Sequence, residues 1–204
     1  MNILILAALT RELVPIQDQL VSVFERKPAV SLNFKKIPVG LKESHFNFRE
    51  FQSGKSVDIC INTGMAGAVS SDLQLLDIFF PSVFIDDKNQ SISFQTPELL
   101  TGIMPEEWKT GTLFTSKKPV LSTKRKNEII SDYRAHAVDM EAYTIAKACV
   151  AESIPFVSLK VISDTADSDT MTIFKQNLDK AAEKLSRHLK ILIDLLRNKE
   201  GTLL

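Results

Sequence analysis

Val-Asp-Met-Glu-Ala-Tyr-Thr-Ile-Ala-Lys-Ala-Cys-Val-Ala-Glu-Ser-Ile-Pro-Phe-Val-Ser-Leu-Lys-Val-Ile-Ser-Asp-Thr-Ala-Asp, residues 138–167, is the stretch whose reading decides the fold. From Glu141 to Val150 it is Ala-rich, with apolar Tyr143, Ile145, Ala146, Cys149 and Val150 at three- and four-residue steps, which predicts a core-facing helix. Pro155 cannot continue that helix. Phe156 to Ile162 is a short, mostly apolar run, read as a strand covered on both faces in a mixed or parallel sheet. Ligands of open α/β sheets sit beyond the carboxyl ends of strands, where Ser163, Asp164, Thr165 and Asp167 emerge together. Asp139 and Glu141 stand at the head of the preceding helix. Brought into one cleft, these acids would suit general acid and base chemistry, because neighbouring carboxyl groups push one another's pKa values apart. The alternative is structural: Asp139 caps its helix, and Asp164 and Asp167 cap the next. Both readings stand on pattern alone.

Working outward, 204 residues with 44% apolar and 25% charged side chains predict a single domain spanning 1–204 with a sizeable core. Net charge is zero, so nothing predicts attraction to nucleic acid or an anionic membrane. Cys60 and Cys149 lie in apolar contexts without metal-ligand spacing and are read as buried free thiols. The apolar opening lacks a secretory pattern, and no run approaches a membrane span, so a cytoplasmic protein is expected.

Asn2 to Ala8 reads as a central strand and Thr10 as the cap of a helix over Arg11 to Phe24, with Glu12 complementing the dipole in its first turn. Residues 25–56 read as strands and turns with a helical piece around Glu43 to Phe51. His45, His136 and His188 read as surface or packing residues. Val57 to Asn62 reads as a buried strand, followed by a Thr63-Gly64-Met65-Ala66-Gly67-Ala68 turn whose glycines permit close backbone approach to a ligand. Pro81 argues against a regular strand throughout Ile78 to Ile85. Asp86 to Gln90 reads as an exposed turn, and Phe94 to Lys109 as irregular, with Trp108 either a lid or core. Gly111 to Phe114 reads as a strand. The basic run within Thr115 to Lys126 reads as a solvated loop before a helix at Glu128. Thr172 to Leu196 has the pattern of a long amphipathic helix closing the sheet, with Lys199 to Leu204 fraying.

Val-Asp-Met-Glu-Ala at 138–142 and Val-Ile-Ser-Asp-Thr-Ala-Asp at 161–167, in this order and spacing, resemble the nucleoside phosphorylase and nucleosidase superfamily, most of all its methylthioadenosine/S-adenosylhomocysteine nucleosidase branch. The opening Met-Asn-Ile-Leu-Ile-Leu-Ala-Ala-Leu-Thr-Arg-Glu-Leu is similar to the start of such nucleosidases. The resemblance implies a three-layer α/β/α fold with a central mixed sheet, and hydrolysis of the N-glycosidic bond of a purine nucleoside. It implies that Asp164 protonates or hydrogen-bonds the leaving purine, that Ser163 positions Asp164, and that Glu12 activates the attacking water. Glu141 would grip the ribose hydroxyls, with Met140 packed under the sugar. Met65 and Ala66 fall in the loop bordering ribose and water, Met65 standing where the family carries serine. Lys160 stands where these enzymes usually carry a ribose-binding arginine. Pro119 and Val120 fall where the family supplies a Phe-Ile wall for the purine.

No metal or cofactor is expected, and a homodimer is implied. The first turn, Ala7-Ala8-Leu9-Thr10, lacks the Gly-rich phosphate loop of the related phosphorylases, so water is the expected nucleophile. A purine nucleoside phosphorylase, a futalosine hydrolase and a non-catalytic nucleoside-binding protein remain as alternatives. The futalosine branch commonly carries asparagine at the position of Asp164.

Overall fold

A computed structural model of the chain describes every residue except 25–29, 41–46, 51–55, 95–99, 101 and 201–204. The expected helix at Glu43 to Phe51 and the reading of His45 fall largely or wholly on residues outside that set; a short 3-10 turn, Phe48–Glu50, is the described part. In chain order the elements are β1 (Asn2–Ala7), α1 (Thr10–Phe24), β2 (Ser31–Lys36), β3 (Ile59–Ala68), β4 (Ile78–Ile85) and β5 (Ser91–Ser93). They continue with β6 (Lys109–Thr115), α2 (Thr123–Tyr133), β7 (Ala137–Asp139), α3 (Ala142–Ala151), β8 (Phe156–Asp164) and α4 (Thr170–Glu200).

The strands alternate their side chains between two faces. In β1, Ile3 and Ile5 pack with Ile16 and Leu20 of α1 and with Leu185, Leu189 and Leu192 of α4. Leu4 and Leu6 join Tyr143, Ile145 and Cys149 of α3 on the other side. These two large cores, one on each face of a mixed sheet, make the expected three-layer α/β/α arrangement, and a smaller third cluster around Phe114, Ile129 and Ala166 seats α2. β8 is buried at every position, its Val157, Leu159 and Val161 in the first core and its Phe156 and Ile162 in the second.

The connectivity goes beyond the expected open sheet. β3 pairs in parallel with β1 and β8, β8 pairs antiparallel with β4, β4 in parallel with β6, and β6 in parallel with β7. β7 then pairs antiparallel with the end of β3. The pairings of β3, β8, β4, β6 and β7 therefore run full circle. This closure was not visible in the sequence, because a three-residue strand such as β7 carries no periodic signal.

Thr63 to Ala68 is not a turn; it is the second half of the ten-residue strand β3. Gly64 adopts φ +146°, where a side chain is rarely found, so the glycines serve close approach within a strand. Pro81 lies inside β4, which tolerates it through a register shift against β6 between Pro81 and Val83. Lys124, Arg125 and Lys126 are not loop residues but the first turn of α2, capped by the Ser122 hydroxyl, which accepts from the Arg125 N–H. Trp108 is core: it stacks on Phe80 and donates its indole N–H to Nδ1 of His188 at 2.9 Å. Asp86 to Gln90 is a turn, exposed at Lys88, Asn89 and Gln90, but Asp86 itself is buried, its carboxylate accepting from the N–H groups of Lys88 and Gln90. Among the described residues no helix is long and apolar enough to cross a membrane.

Candidate active site

A cavity of about 300 Å³ opens beyond the carboxyl ends of β1, β3, β7 and β8. Nine of the ten residues that the resemblance assigns to a site line it: Glu12, Met65, Ala66, Pro119, Val120, Met140, Glu141, Ser163 and Asp164. The wall is completed by Ala8, Leu9, Val39, Gly67, Lys118, Val138, Asp139 and Ala166, and by Thr170, Met171 and Phe174 from the first turns of α4. Most of these are apolar, so the carboxylates stand in a largely apolar wall. Past Ala8, Leu9, Val39 and Phe174, which both share, lies a second hollow of about 460 Å³ that reaches Arg11 and Lys36.

Glu12 sits where β1 turns into α1 and is 3% exposed. Its Oε2 accepts the N–H of Leu9 at 2.8 Å, reaching back over the first helical turn, and its Oε1 accepts the N–H of Met65 at 3.0 Å. That approach needs a bare backbone at Gly64, where a Cβ would fall 3.0 Å from Oε1. Burial raises the Glu12 pKa; the Leu9 N–H, the Lys160 charge and the Met65 N–H oppose that rise without cancelling it.

Asp164 ends β8. Opposite it, the register slips: Ala66 pairs with Ile162 but Gly67 pairs with Asp164, so Ser163 is an extra residue. A bulge of this kind re-aims the side chains beside it. Asp164 lies against Gly67, accepting the Ser163 hydroxyl at 2.8 Å on Oδ2, and the Ala166 N–H at 3.0 Å and the Thr170 hydroxyl at 3.3 Å on Oδ1. The carboxylate thus ties down the turn before α4 and does not cap the helix itself. Asp167 accepts from the Asp169 N–H nearby.

Glu141 occupies the position before α3 and caps nothing with its side chain. Its Oε1 accepts the N–H of Gly40 at 2.7 Å, a contact across 101 residues of sequence. Its pKa is raised to about 7, first by burial and then by the Asp139 charge, with Lys160 and the Gly40 N–H acting against them. Asp139 is not the N-cap residue of α3, which is Glu141, but its carboxylate accepts the first N–H of that helix, Ala142, at 3.0 Å; it also accepts the Thr115 hydroxyl at 2.8 Å and forms a 2.9 Å ion pair with Lys160.

The resemblance implies that Lys160 is a ribose contact. It stands instead within β8, 1% exposed, and does not line the cavity. β8 pairs on both sides here, to Gly64 of β3 and Phe79 of β4, so the ammonium is buried beneath the site, paired to Asp139. Besides its ion pair with Asp139, the Lys160 charge works against the raised pKa values of Glu12 and Glu141.

The sequence reading did not find the backbone donors Leu9, Gly40 and Met65, since an N–H has no residue-type signal. Phe174 belongs to the helix expected to close the sheet yet also lines the cavity, and Thr170 and Met171 precede the expected helix start at Thr172. An Asp-x-x-Thr spacing at Asp167 to Thr170, opening a helix, was the available sign of an ordered turn there. His136 is a packing residue as expected, its Nδ1 accepting the Thr112 N–H at 3.1 Å.

Comparison with known proteins follows the same lines. Over 157 residues the chain is 27% identical to an aminodeoxyfutalosine nucleosidase of Helicobacter pylori, covering 66% of this chain and 67% of that protein. It is 32% identical over 161 residues to a 5′-methylthioadenosine/S-adenosylhomocysteine nucleosidase of Buchnera aphidicola from Schizaphis graminum, covering 67% of each. The fold matches that of a point mutant of Helicobacter pylori 5′-methylthioadenosine/S-adenosylhomocysteine nucleosidase with 5′-methylthioadenosine in its active site, with a TM-score of 0.79 at 22% identity over 95% of this chain and 98% of the other. It also matches native Helicobacter pylori futalosine hydrolase, with a TM-score of 0.77 at 22% identity over 95% and 97%. Residues 42–194 fit the phosphorylase superfamily profile, and the chain, with its mixed sheet and helices on both faces, belongs to that superfamily.

Proposed function

We propose that this protein is a nucleosidase that hydrolyses the N-glycosidic bond of a purine nucleoside such as methylthioadenosine or S-adenosylhomocysteine. One observation carries the reading: three buried carboxylates, Glu12, Glu141 and Asp164, look into one largely apolar cavity, each held by its own set of donors. In the reaction, Glu12 takes a proton from water as the water oxygen bonds to the anomeric carbon. The bond from that carbon to the base nitrogen breaks, and Asp164 supplies the proton the departing purine needs, with Ser163 holding it in place. Glu141 grips the ribose hydroxyls, Met140 packs under the sugar, Met65 and Ala66 border it, and Pro119 and Val120 wall the base. Lys160 acts from below, as a counter-charge. Acid and base roles of this type contribute about 10²- to 10⁴-fold each.

Water is favoured over phosphate by the occupant of the first turn. A phosphate at the start of α1 would need free N–H groups, and the Glu12 carboxylate takes that of Leu9 and would repel the anion.

A second reading concerns the 5′ arm. The hollow beyond Val39 and Phe174 offers length and two cations, Arg11 and Lys36. Together with the Helicobacter pylori relative, this supports a long, carboxylate-bearing arm, as in adenosylhomocysteine or aminodeoxyfutalosine, over a bare methylthio group.

The reading includes a single domain over 1–204, a homodimer and a cytoplasmic site. Buried free Cys60 and Cys149 suit a reducing compartment, and zero net charge gives no pull towards nucleic acid or membrane. The deciding experiment measures free-base release from methylthioadenosine, adenosylhomocysteine, adenosine, inosine and aminodeoxyfutalosine, with and without phosphate. Phosphate-independent release that is lost in Asp164→Asn and Glu12→Gln is the expected result. Phosphate dependence would move the assignment to a phosphorylase, and saturable binding without release to a nucleoside-binding protein.

A further inference from the structure

The Thr170 hydroxyl links the first residue of α4 to Asp164. It accepts the backbone N–H of Asp167 at 2.8 Å, which leaves its single proton directed at Oδ1 of Asp164, 3.3 Å away. The contact is long for a hydroxyl donor, and catalytic hydrogen bonds of this kind tighten in the reacting complex. Oδ1 also accepts the Ala166 N–H. Oδ2 is placed differently: it accepts from Ser163, whose hydroxyl has a second acceptor in the Ala66 carbonyl at 3.4 Å. Ser163 can therefore turn its proton to Ala66 and leave Oδ2 free to carry one, while two donors hold Oδ1 as an acceptor.

We infer that Thr170 is a positioning residue that, with the Ala166 N–H, keeps Oδ1 of Asp164 unprotonated and so confines the transferable proton to Oδ2. The inference rests on Asp164 being the proton donor to the leaving base. Thr170 is 8% exposed and lines the cavity, so this ordering takes place at its wall.

The test compares two leaving groups on one sugar: a purine, which departs well only when protonated, and p-nitrophenolate, which departs as a stable anion. Losing a hydrogen bond to a charged group predicts that Thr170→Val lowers kcat on the purine nucleoside by about ten- to a hundredfold. KM should change by less than about threefold, and the nitrophenyl glycoside should be nearly unaffected. Thr170→Ser, which keeps the hydroxyl, should restore most of the loss, and Asp164→Asn should show the same leaving-group selectivity, only larger. If Asp164→Asn is selective but Thr170→Val slows both substrates equally or neither, the role of Thr170 is overturned and that of Asp164 stands. If Asp164→Asn is unselective, or the folded wild type releases no base, the proton-donor reading falls and this inference with it. Thermal unfolding of each variant separates lost folding from lost positioning.

Discussion

Gly67 packs so closely against Asp164 that a Cβ on the glycine would fall 2.7 Å from the carboxylate Oδ1 and 3.1 Å from the Ala166 Cβ. Gly64 stands in the same relation to Glu12. The two glycines of one strand thus clear space for the two carboxylates proposed to act as acid and base.

Gly67→Ala should therefore push Asp164 aside. Displacements near 1 Å cost about 10²-fold in rate. The variant should lose at least that much turnover on a purine nucleoside, and the overpacking should lower stability by about 1–3 kcal/mol, leaving a folded protein in which the loss of rate can be read. Undiminished turnover would mean that Asp164 is not used where it stands.

Glu12→Gln should do two things. It removes the proposed base, for an expected loss of about 10²- to 10⁴-fold in kcat. It also turns an amide NH₂ towards one of two backbone donors, Leu9 or Met65, leaving a buried N–H unpaired at a cost of about 1–3 kcal/mol. Activity assays and urea unfolding should therefore both register the change.

Glu141 should make stability and binding depend on pH. Its folded pKa of about 7 lies above the ordinary 4.5, so the folded protein holds an extra proton between those values. The stability it contributes is complete below about pH 4.5 and is lost as pH rises through 7. Over that window the loss is on the order of 3 kcal/mol, and Glu141→Gln should remove it, so wild type should fall relative to the variant from pH 5 to pH 8 in urea titrations. If the ionised form accepts the sugar hydroxyls, kcat/KM should rise through pH 7 in wild type and lose that limb in the variant.

Lys160→Met should destabilise the fold by about 3–5 kcal/mol, because it leaves Asp139 charged and buried without its partner. Lys160→Arg keeps the charge but must fit a larger group into a site 1% exposed, with a smaller expected loss of about 1–3 kcal/mol. Equal losses in denaturant would show that volume, not charge, governs this position.

Met65→Ser should leave the Glu12 anchor intact, because the anchor is the backbone N–H of residue 65 and not its side chain. Met65 is partly buried against the α1/α4 core, so the change should cost stability and widen the cavity. Retained turnover with an altered preference among sugar substituents is the expected result in a substrate panel.

Much of this was legible in the sequence. The period of residues 141–150, Pro155 and the apolar run 156–162 determined a helix, a break and a doubly covered strand, because burial on one face or two dictates where apolar residues recur. The motifs around Met140-Glu141 and Ser163-Asp164 marked chemistry-bearing side chains, and they line one cavity. Tertiary structure alone decided how those groups are held. The bulge at Ser163 that lays Asp164 over Gly67, the ring of pairings closed by β7, and the N–H groups of Leu9, Gly40 and Met65 depend on register and on backbone atoms that every residue type shares. For the same reason Lys160 read as a ligand contact in sequence and is a buried counter-charge in space: its neighbours Asp139, Gly64 and Phe79 come from three other segments, and only folding brings them to it.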